Sequence, residues 1–235
     1  MIRLLRSTLL ALCILFPALL PAQNAQQAAA QAPNWEPDIR KFEDQDKTNP
    51  PKPGVIVFAG SSSFARWDTL LDDMKGLNVI NRGFGGSQYT DLNQYAPRIV
   101  IAYHPAAVVL YEGDNDLSTG STKTPQSVAN NAKEFVRMVH SGSADTWIYF
   151  LSIKPSKARW KEWQQMKSAN TMIAKFAKTQ QRVQYIDVAS AMLDAQGHPR
   201  DDLFAEDGLH PNAKCYALWT SIIKPVLLQR EGTQK

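Results

Sequence analysis

The sequence predicts an α/β fold in which a parallel β-sheet lies between two layers of helices. Two observations predict it: short apolar runs rich in β-branched residues recur along the chain, and longer segments with helical periodicity separate them. Strands that alternate with helices pair in parallel through right-handed crossovers. The expected architecture is a three-layer α/β/α sandwich around a flavodoxin-like, doubly wound sheet of five parallel strands.

The predicted elements form one domain that covers residues 51–235. No internal repeat or change of composition divides this region, and its length suffices for one well-buried core. The predicted strands cover residues 55–59, 77–80, 106–111, 146–153 and 183–188. The predicted helices cover residues 64–74, 89–103, 125–140, 160–179 and 212–228.

Residues 1–22 have the pattern of a secretory signal peptide. Arg3 and Arg6 give a positively charged start, an apolar stretch covers residues 9–20, and small residues follow. The apolar stretch is short and contains prolines, which argues against a membrane span, although an uncleaved anchor is the alternative. We therefore expect an exported protein, periplasmic or secreted, with no stable membrane span after cleavage.

Residues 23–50 are predicted to join this segment to the fold. The first part is rich in Gln and Ala and has no apolar face, which is typical of a flexible spacer. Trp35, Ile39 and Phe42 then share one side of a predicted short helix, with Pro37 in its first turn. This helix is expected to pack on the core as an N-terminal addition.

Composition argues against a nucleic-acid partner. The chain has 26 Lys and Arg against 22 acidic residues, a net charge of +4. Without Arg3 and Arg6, 24 basic residues remain against 22 acidic ones, and the net charge is +2. No basic helix or patch stands out, so binding to nucleic acid is not expected. Cleavage would leave Cys215 as the single cysteine, which excludes an internal disulfide.

The first predicted strand leads into Gly60, and three serines follow this glycine. The carboxyl end of a buried parallel strand is where α/β proteins bind their ligands. Ser61, Ser62 and Ser63 are therefore candidates for chemistry. The alternative is an ordinary polar turn, since Ser is also a preferred residue at the start of a helix.

The loops after the second and third predicted strands offer hydrogen-bond donors. Gly86 presents a backbone N–H that no side chain covers. Asn115 can donate two hydrogen bonds from its amide, and a neutral donor is what an oxyanion site needs. Asp114 and Asp116 flank this asparagine but lack the further ligands of a calcium loop, so no metal is expected there.

Asp207 and His210 precede the last predicted helix. A carboxylate three residues before a histidine can hold the imidazole through Nδ1 and leave Nε2 free to accept a proton from a hydroxyl. A zinc site would need more ligands, and His104, His140 and His198 lie in unrelated segments. The pair is therefore interpreted as half of a hydrolase triad.

Together and in this order, these stretches resemble the SGNH hydrolases, also called the GDSL esterase and lipase family. The family's Gly-Asp-Ser tripeptide carries the nucleophile in its third position, and here it reads Gly60-Ser61-Ser62. The serine in place of aspartate departs from the common pattern and resembles a Gly-Ser-Ser-Ser subgroup. The resemblance covers residues 55–228.

The resemblance implies a serine esterase that needs no cofactor and no metal. Ser62, Asp207 and His210 match the catalytic residues of the family. The backbone N–H groups of Ser62 and Gly86, with the Asn115 amide, match its oxyanion hole. The implied partner is a small-molecule or carbohydrate ester, and these motifs do not specify an oligomeric state.

The length of the chain leaves no room for a lid domain, so an open site that suits short acyl groups, such as acetyl esters of carbohydrates, is expected. Lys154, Arg159 and Trp160 follow the fourth predicted strand and are expected to bind a polar or anionic leaving group. The alternative is a solvated loop. Two other functions stay open: a lysophospholipase or thioesterase that takes longer acyl chains, and a non-catalytic envelope binding protein on the same fold.

Overall fold

A computed structural model describes residues 34–230, which are built around one parallel sheet. The predicted signal peptide and the Gln/Ala-rich spacer lie outside these residues. The strands are β1 Ile56–Gly60, β2 Val79–Gly83, β3 Ala107–Tyr111, β4 Trp147–Leu151 and β5 Val183–Ile186. Their spatial order is β2-β1-β3-β4-β5 with all neighbours parallel, which confirms the predicted doubly wound sheet.

Helices cover both faces of the sheet and confirm the three-layer sandwich. Among the described residues they are α1 Glu36–Thr48, α2 Ser62–Ala65, α3 Leu70–Asp73, α4 Tyr89–Ile99, α5 Pro125–Gly142, α6 Trp163–Ala177 and α7 Ala213–Arg230. Short 3-10 turns lie at Ile101–Tyr103, Trp160–Glu162, Ser190–Met192 and Asp201–Leu203. In the region from residue 34 to residue 230, no helix is long and apolar enough to cross a membrane.

The sheet separates two hydrophobic cores. Successive residues of a strand point to opposite faces. In β1, Val57 and Ala59 pack with residues of α4, α5 and α6, whereas Ile56 and Phe58 pack with residues of α2, α3 and α7. Every residue of β1 is buried, as expected of an apolar run in a central parallel strand. This double burial fixes the position of the loop that follows β1.

The helix predicted at residues 64–74 is interrupted, which is a correction to the sequence analysis. The chain forms α2 and α3 with a turn between them, and Trp67 lies in that turn with 1% of its surface exposed. Its ring stacks on Tyr216 at 4.9 Å between centroids, and its Nε1 donates to Asp73 over 2.7 Å. Burial of this large side chain offsets the helical hydrogen bonds that the turn gives up.

The edge strand β2 extends into more polar residues than predicted. Arg82, near its end, is 5% exposed and forms an ion pair with Asp46 of α1. Its Nε also donates to the Tyr103 hydroxyl over 2.9 Å. A buried guanidinium is tolerated because these partners are in place. Since they lie far away in the sequence, apolar periodicity could not reveal this part of the strand.

A helix does form ahead of the first strand, and it is anchored to the main body of the fold. Ile39 of α1 is fully buried, and Arg98 of α4 bonds to Glu36 and Glu43 at 2.8 and 2.7 Å. Trp35, just before α1, packs edge-on against Phe84 with 5.8 Å between ring centroids. These contacts bring the N-terminal helix up to the loop that follows β2.

Candidate active site

A cleft lies at the carboxyl edge of the sheet, where the strand order reverses. Because β1 lies between β2 and β3, the chain leaves β1 on one side and returns on the other, which opens a crevice at this point. The cleft has a volume of about 340 Å³. It is lined by Ser62, Ala65, Arg66, Gly85, Gly86, Asn115, Arg159, Leu209 and His210.

Ser62 lies at a sharp bend between β1 and α2. Gly60 has a φ of +142°, and a Cβ atom at this residue would lie 1.9 Å from the carbonyl oxygen of Tyr111. Only glycine fits such a close approach of two strands. The Ser61 N–H donates to that same oxygen over 3.1 Å. The bend is therefore rigid, and it presents Ser62, the first residue of α2, to the cleft.

The loop before α7 is folded around the carboxylate of Asp207. One carboxylate oxygen accepts hydrogen bonds from the backbone N–H groups of Leu209 and His210, both at 2.9 Å. The other lies 2.6 Å from His210 Nδ1. His210 Nε2 then lies 3.0 Å from Ser62 Oγ. The structure thus brings together the three side chains that were predicted to form a triad.

The carboxyl group of Asp207 is set up to stay ionised. Burial by itself would raise its pKa, but hydrogen bonds from the His210 ring and from the backbone N–H groups of His210 and Leu209 lower the pKa well below its usual range. Arg66 lies 3.7 Å away and adds positive charge, although its exposure weakens the effect. A permanent negative charge therefore faces Nδ1 of the imidazole.

The three predicted oxyanion donors line the same cleft. For residues 34–230, the structure gives no acceptor to the backbone N–H of Ser62 or to that of Gly86. The Asn115 Nδ2 donates to the Ser87 carbonyl over 2.8 Å, and its second hydrogen is left for another acceptor. Both N–H groups and the side-chain amide are thus available to a ligand beside the Ser62 hydroxyl.

Trp35 contacts the Gly86 loop, which the sequence analysis did not foresee. Gly86 has a φ of +79°, in the left-handed region that favours glycine. A Cβ atom at this residue would lie 3.3 Å from the Trp35 ring. The N-terminal helix therefore supports one side of the cleft. Nothing in the local sequence around either residue signals this contact.

A buried cluster of charges lies behind Asn115. Asp114 is 3% exposed and forms ion pairs with Lys154 and Arg159, and the Tyr111 hydroxyl donates to it over 3.0 Å. Burial by itself would raise the pKa of Asp114, but the two cations lower it to about 2. Arg159 also donates from Nη2 to Asn115 Oδ1 over 2.9 Å. The cluster therefore connects directly to the cleft.

Lys154 is not placed to bind a substrate, contrary to the prediction. Its side chain is 1% exposed. Its ammonium bonds to Asp114 and lies 3.1 Å from the Tyr111 hydroxyl. The strand that precedes Lys154 is buried on both faces, so the side chain points into the protein and needs a carboxylate there. Its role in this structure is to neutralise Asp114.

Arg159 and Trp160, the other two residues predicted to lie beside the site, have different surroundings. Arg159 lines the cleft. Trp160 instead stacks on Trp163 with 6.2 Å between centroids and meets His198 edge-on at 5.8 Å. The two residues share one loop in the sequence, but the 3-10 turn that begins at Trp160 directs their side chains to different surroundings.

Lys154→Met is expected to lower the melting temperature by roughly 3–12 °C. Asp114 keeps its second cation, Arg159, so the variant loses a hydrogen bond to a buried charge, which costs about 1.5–3 kcal/mol. In a domain of this size each kcal/mol shifts the midpoint by roughly 2–4 °C. Lys157→Met is the matched control, because the Lys157 ammonium is exposed and pairs with the exposed Asp201. A melting temperature as close to wild type as that of the control would contradict the buried ion pair.

The aspartates beside Asn115 order the loop rather than line the cleft. Asp116 is fully buried and accepts hydrogen bonds at 3.0 Å from the Tyr89 backbone N–H and from Lys123 Nζ. Asp114 is occupied by its two cations. Across the described part of the chain, no group of three or more potential metal ligands comes together.

Four further residues of the cleft were not predicted from the sequence, namely Ala65, Arg66, Gly85 and Leu209. Ala65 and Arg66 lie three and four residues after Ser62, and this spacing places side chains on one face of a helix. Leu209 lies directly before His210. The helical spacing could have revealed Ala65 and Arg66, had the helix been taken to begin at Ser62 itself. The other two are direct chain neighbours of predicted site residues.

A larger groove of about 590 Å³ lies between α6 and the loop after β5. It contains Ser190, but the hydroxyl of this residue donates to Asp187. No histidine is among the described residues that line the groove. Volume therefore does not identify the site, whereas the contact between Ser62 and His210 does.

Comparison with known proteins agrees with this geometry. The sequence profile of the GDSL-like Lipase/Acylhydrolase family matches residues 45–218. No curated protein gives a significant match. A GDSL-like lipase from Bacteroides thetaiotaomicron has a similar structure, with a TM-score of 0.71, 19% identity, and coverage of 81% of this chain and 97% of that chain.

Two further solved structures are similar. One is the lipase/acylhydrolase from Enterococcus faecalis, with a TM-score of 0.62, 22% identity, and coverage of 75% of this chain and 96% of that chain. The other is a carbohydrate esterase family 3 protein from Talaromyces cellulolyticus, with a TM-score of 0.63, 17% identity, and coverage of 77% and 99%. At these identities, the likeness shows a shared fold.

The family profile spans well over half of the chain and includes every residue that lines the cleft. Within that span, hydrogen bonds connect a carboxylate to an imidazole and the imidazole to a serine hydroxyl. The chain therefore belongs to the GDSL-like lipase/acylhydrolase family, the SGNH hydrolases, and is a serine hydrolase that acts on esters.

Proposed function

We propose that this protein is an exported serine esterase that removes short acyl groups from small molecules or carbohydrates. The observation that carries the proposal is the hydrogen-bonded series Asp207, His210 and Ser62, which ends in a small cleft. A non-catalytic binding protein on the same fold would not need an aligned nucleophile and base. Export rests on the signal peptide expected at residues 1–22.

Acylation begins at the hydroxyl of Ser62. His210 Nε2 accepts the hydroxyl proton while Oγ attacks the ester carbonyl carbon, and Asp207 stabilises the imidazolium that forms. The negative charge that develops on the carbonyl oxygen is held by the N–H groups of Ser62 and Gly86 and by the Asn115 amide. When the tetrahedral intermediate collapses, His210 returns its proton to the leaving alcohol.

Deacylation uses the same groups, with water in place of the Ser62 hydroxyl as the nucleophile and Ser62 as the leaving group. Water enters the place of the departed alcohol, and His210 Nε2 accepts a proton from it as its oxygen attacks the acyl carbon. The same donors hold the second oxyanion. The carboxylic acid then leaves, and Ser62 Oγ regains its proton from His210, which returns the enzyme to its starting state.

The walls of the cleft favour a short acyl group. A volume of about 340 Å³ is near the lower end of ligand pockets, which run from roughly 300 to 1,000 Å³. Among the described residues that line it, the aliphatic side chains are Ala65 and Leu209. Each further buried CH₂ contributes about 0.8 kcal/mol only where an apolar wall receives it. A long acyl chain would find little such wall.

The exposed cation at the cleft favours a polar alcohol as the leaving group. Arg66 lines the cleft, and hydroxyl or carboxylate oxygens of a carbohydrate can accept hydrogen bonds from its guanidinium group. One structurally similar protein, from Talaromyces cellulolyticus, is a carbohydrate esterase. This likeness supports a carbohydrate ester as the substrate class to examine first.

The chain-length series tests the proposal. The mature protein is assayed with p-nitrophenyl acetate, butyrate, octanoate and laurate, and with the corresponding thioesters. The proposal expects kcat/KM to be highest for acetate or butyrate and to fall for longer chains. A rise toward laurate, or a preference for thioesters, favours the lysophospholipase or thioesterase alternative. The absence of hydrolysis with every ester would favour the non-catalytic binding protein.

The rate of ester hydrolysis is expected to rise with pH at the acid end. Only the neutral imidazole of His210 can accept the Ser62 proton, and kcat/KM should therefore rise tenfold per pH unit below its plateau. Because hydrogen bonds hold the pKa of Asp207 below its usual range, that carboxylate is already charged in this window. Protonation of Asp207 therefore does not limit the rate in this window.

A pH profile of kcat/KM, measured where the protein stays folded, checks this expectation. The matched variant is Asp207→Asn, which removes the charge that stabilises the imidazolium in the transition state and should lower the plateau of kcat/KM. A wild-type profile that is flat from acid to alkaline pH, with chemistry limiting the rate, would contradict His210 as the base.

A further inference from the structure

Arg159 connects the oxyanion-hole residue Asn115 to a buried carboxylate. Its Nη2 donates to Asn115 Oδ1 over 2.9 Å, and its Nη1 donates to Asp114. The Arg159 side chain is 16% exposed, so these contacts are largely shielded from water. A planar guanidinium can bridge two acceptors in a fixed geometry, which the ammonium of a lysine does less well.

These contacts determine which end of the Asn115 amide serves as the donor. A guanidinium only donates hydrogen bonds, so it selects the oxygen Oδ1. On the other side, the Ser87 carbonyl only accepts, so it selects Nδ2, at 2.8 Å. The amide is held at both ends, and the second hydrogen on Nδ2 remains for a ligand of the cleft.

The cluster behind Asn115 carries one excess positive charge. The cations Lys154 and Arg159 share the single carboxylate of Asp114. The neighbouring Glu112 is also buried, and burial, together with the charge of Asp116, raises its pKa well above the usual range, which favours its neutral form. Salt screens a buried charge only weakly, so the excess charge acts on the adjoining cleft.

We propose that Arg159 is a positioning residue of the oxyanion hole, which holds and polarises the Asn115 amide. A charge-assisted hydrogen bond to Oδ1 withdraws electron density from the amide and makes Nδ2–H a stronger donor. That donor contributes most when negative charge develops on the carbonyl oxygen, in the transition state. The inference rests on the esterase function proposed above and assigns Arg159 to catalysis through Asn115 rather than to substrate binding.

A double-mutant cycle tests the proposal. Arg159→Gln, Asn115→Ala and the double variant are compared with wild type in the hydrolysis of p-nitrophenyl acetate. Arg159→Gln alone should lower kcat by about 10- to 100-fold with little change in KM, which is less than the loss of the donor itself. In the Asn115→Ala background, the same change should lower kcat by less than about threefold, because the residue it acts through is gone.

Two controls keep the cycle interpretable. Lys157→Gln removes a nearby exposed cation and should leave kcat unchanged. Arg159→Lys keeps the positive charge but loses the planar guanidinium that reaches two acceptors at once. A kcat between those of wild type and Arg159→Gln is therefore expected. If Arg159→Gln does not fold at the assay temperature, Arg159→Lys takes its place in the cycle.

The proposal is overturned if Arg159→Gln causes equal losses of kcat in both backgrounds, or if it raises KM and leaves kcat unchanged. A second readout does not depend on activity: the ¹⁵N shift of the Asn115 side-chain amide should move in Arg159→Gln and stay in place in Lys157→Gln. An unmoved shift overturns the proposal. If wild type hydrolyses no ester, the esterase function fails, whatever the amide shift reports.

Discussion

Ser62→Ala is expected to lower kcat for ester hydrolysis by a factor of about 10⁶, because removal of the nucleophile of a serine–histidine pair typically costs that much. His210 Nε2 faces Ser62 Oγ at 3.0 Å, and the variant leaves that base without a hydroxyl to activate. Residual hydrolysis would come from the oxyanion donors and from binding alone. Steady-state kinetics on p-nitrophenyl acetate, with the folded state checked by circular dichroism, provides the measurement.

The adjacent serines provide matched controls for this prediction. Ser61 and Ser63 are 2% and 1% exposed, whereas Ser62 opens into the cleft. Ser61→Ala and Ser63→Ala should therefore retain most of the activity. If either control loses as much activity as Ser62→Ala without losing its fold, the nucleophile has been assigned to the wrong residue.

Asn115→Ala is expected to lower kcat by a factor of about 100 to 1,000, with a much smaller change in KM. The Asn115 Nδ2 is the side-chain donor of the proposed oxyanion hole, and such a donor aligns best with the tetrahedral intermediate. The main-chain contacts of residue 115, such as the one with Ser118, do not need the side chain and should survive. Melting temperature should change little.

The alternative role for Asn115 is to close its loop. Its side chain bonds to the Ser87 carbonyl and to Arg159, so a purely structural residue would lose these contacts on substitution. Kinetics and a melting curve on the same variant separate the two roles, provided that acylation limits turnover. A normal kcat with a lowered melting temperature would contradict the oxyanion role.

The sheet could be predicted from the sequence because its central strands are buried on both faces. Such strands need continuous apolar residues, and β1 and β3 have them. The carboxyl half of β2 could not be predicted in this way, because it contains Arg82, a buried cation that pairs with Asp46. A partner that folding brings from another segment leaves no local pattern in the sequence.

The residues of the site were predictable where each follows a strand or lies within a short motif. Asp207 and His210 lie three residues apart, so one turn of chain already brings the carboxylate to the imidazole. Their contact with Ser62 depends on the whole sheet and was reached through the family resemblance. The structure adds the geometry of that contact.

The environment of Lys154 could not be predicted from the sequence. A lysine after a strand at the edge of a site reads as a candidate for binding, but here the side chain turns inward to Asp114 and Tyr111. Whether a charged side chain faces solvent or a buried partner depends on packing across the sheet. For the same reason, the contact between Arg159 and Asn115 could not be predicted from the sequence.

Covalent labelling tests the central claim, that His210 activates Ser62 as the nucleophile. The protein is treated with a fluorophosphonate, digested, and mapped by mass spectrometry, with His210→Ala in parallel. The account predicts a label on Ser62 in wild type and a strong reduction in labelling in His210→Ala. A label on another serine, such as Ser61 or Ser190, or undiminished labelling in His210→Ala, would contradict it.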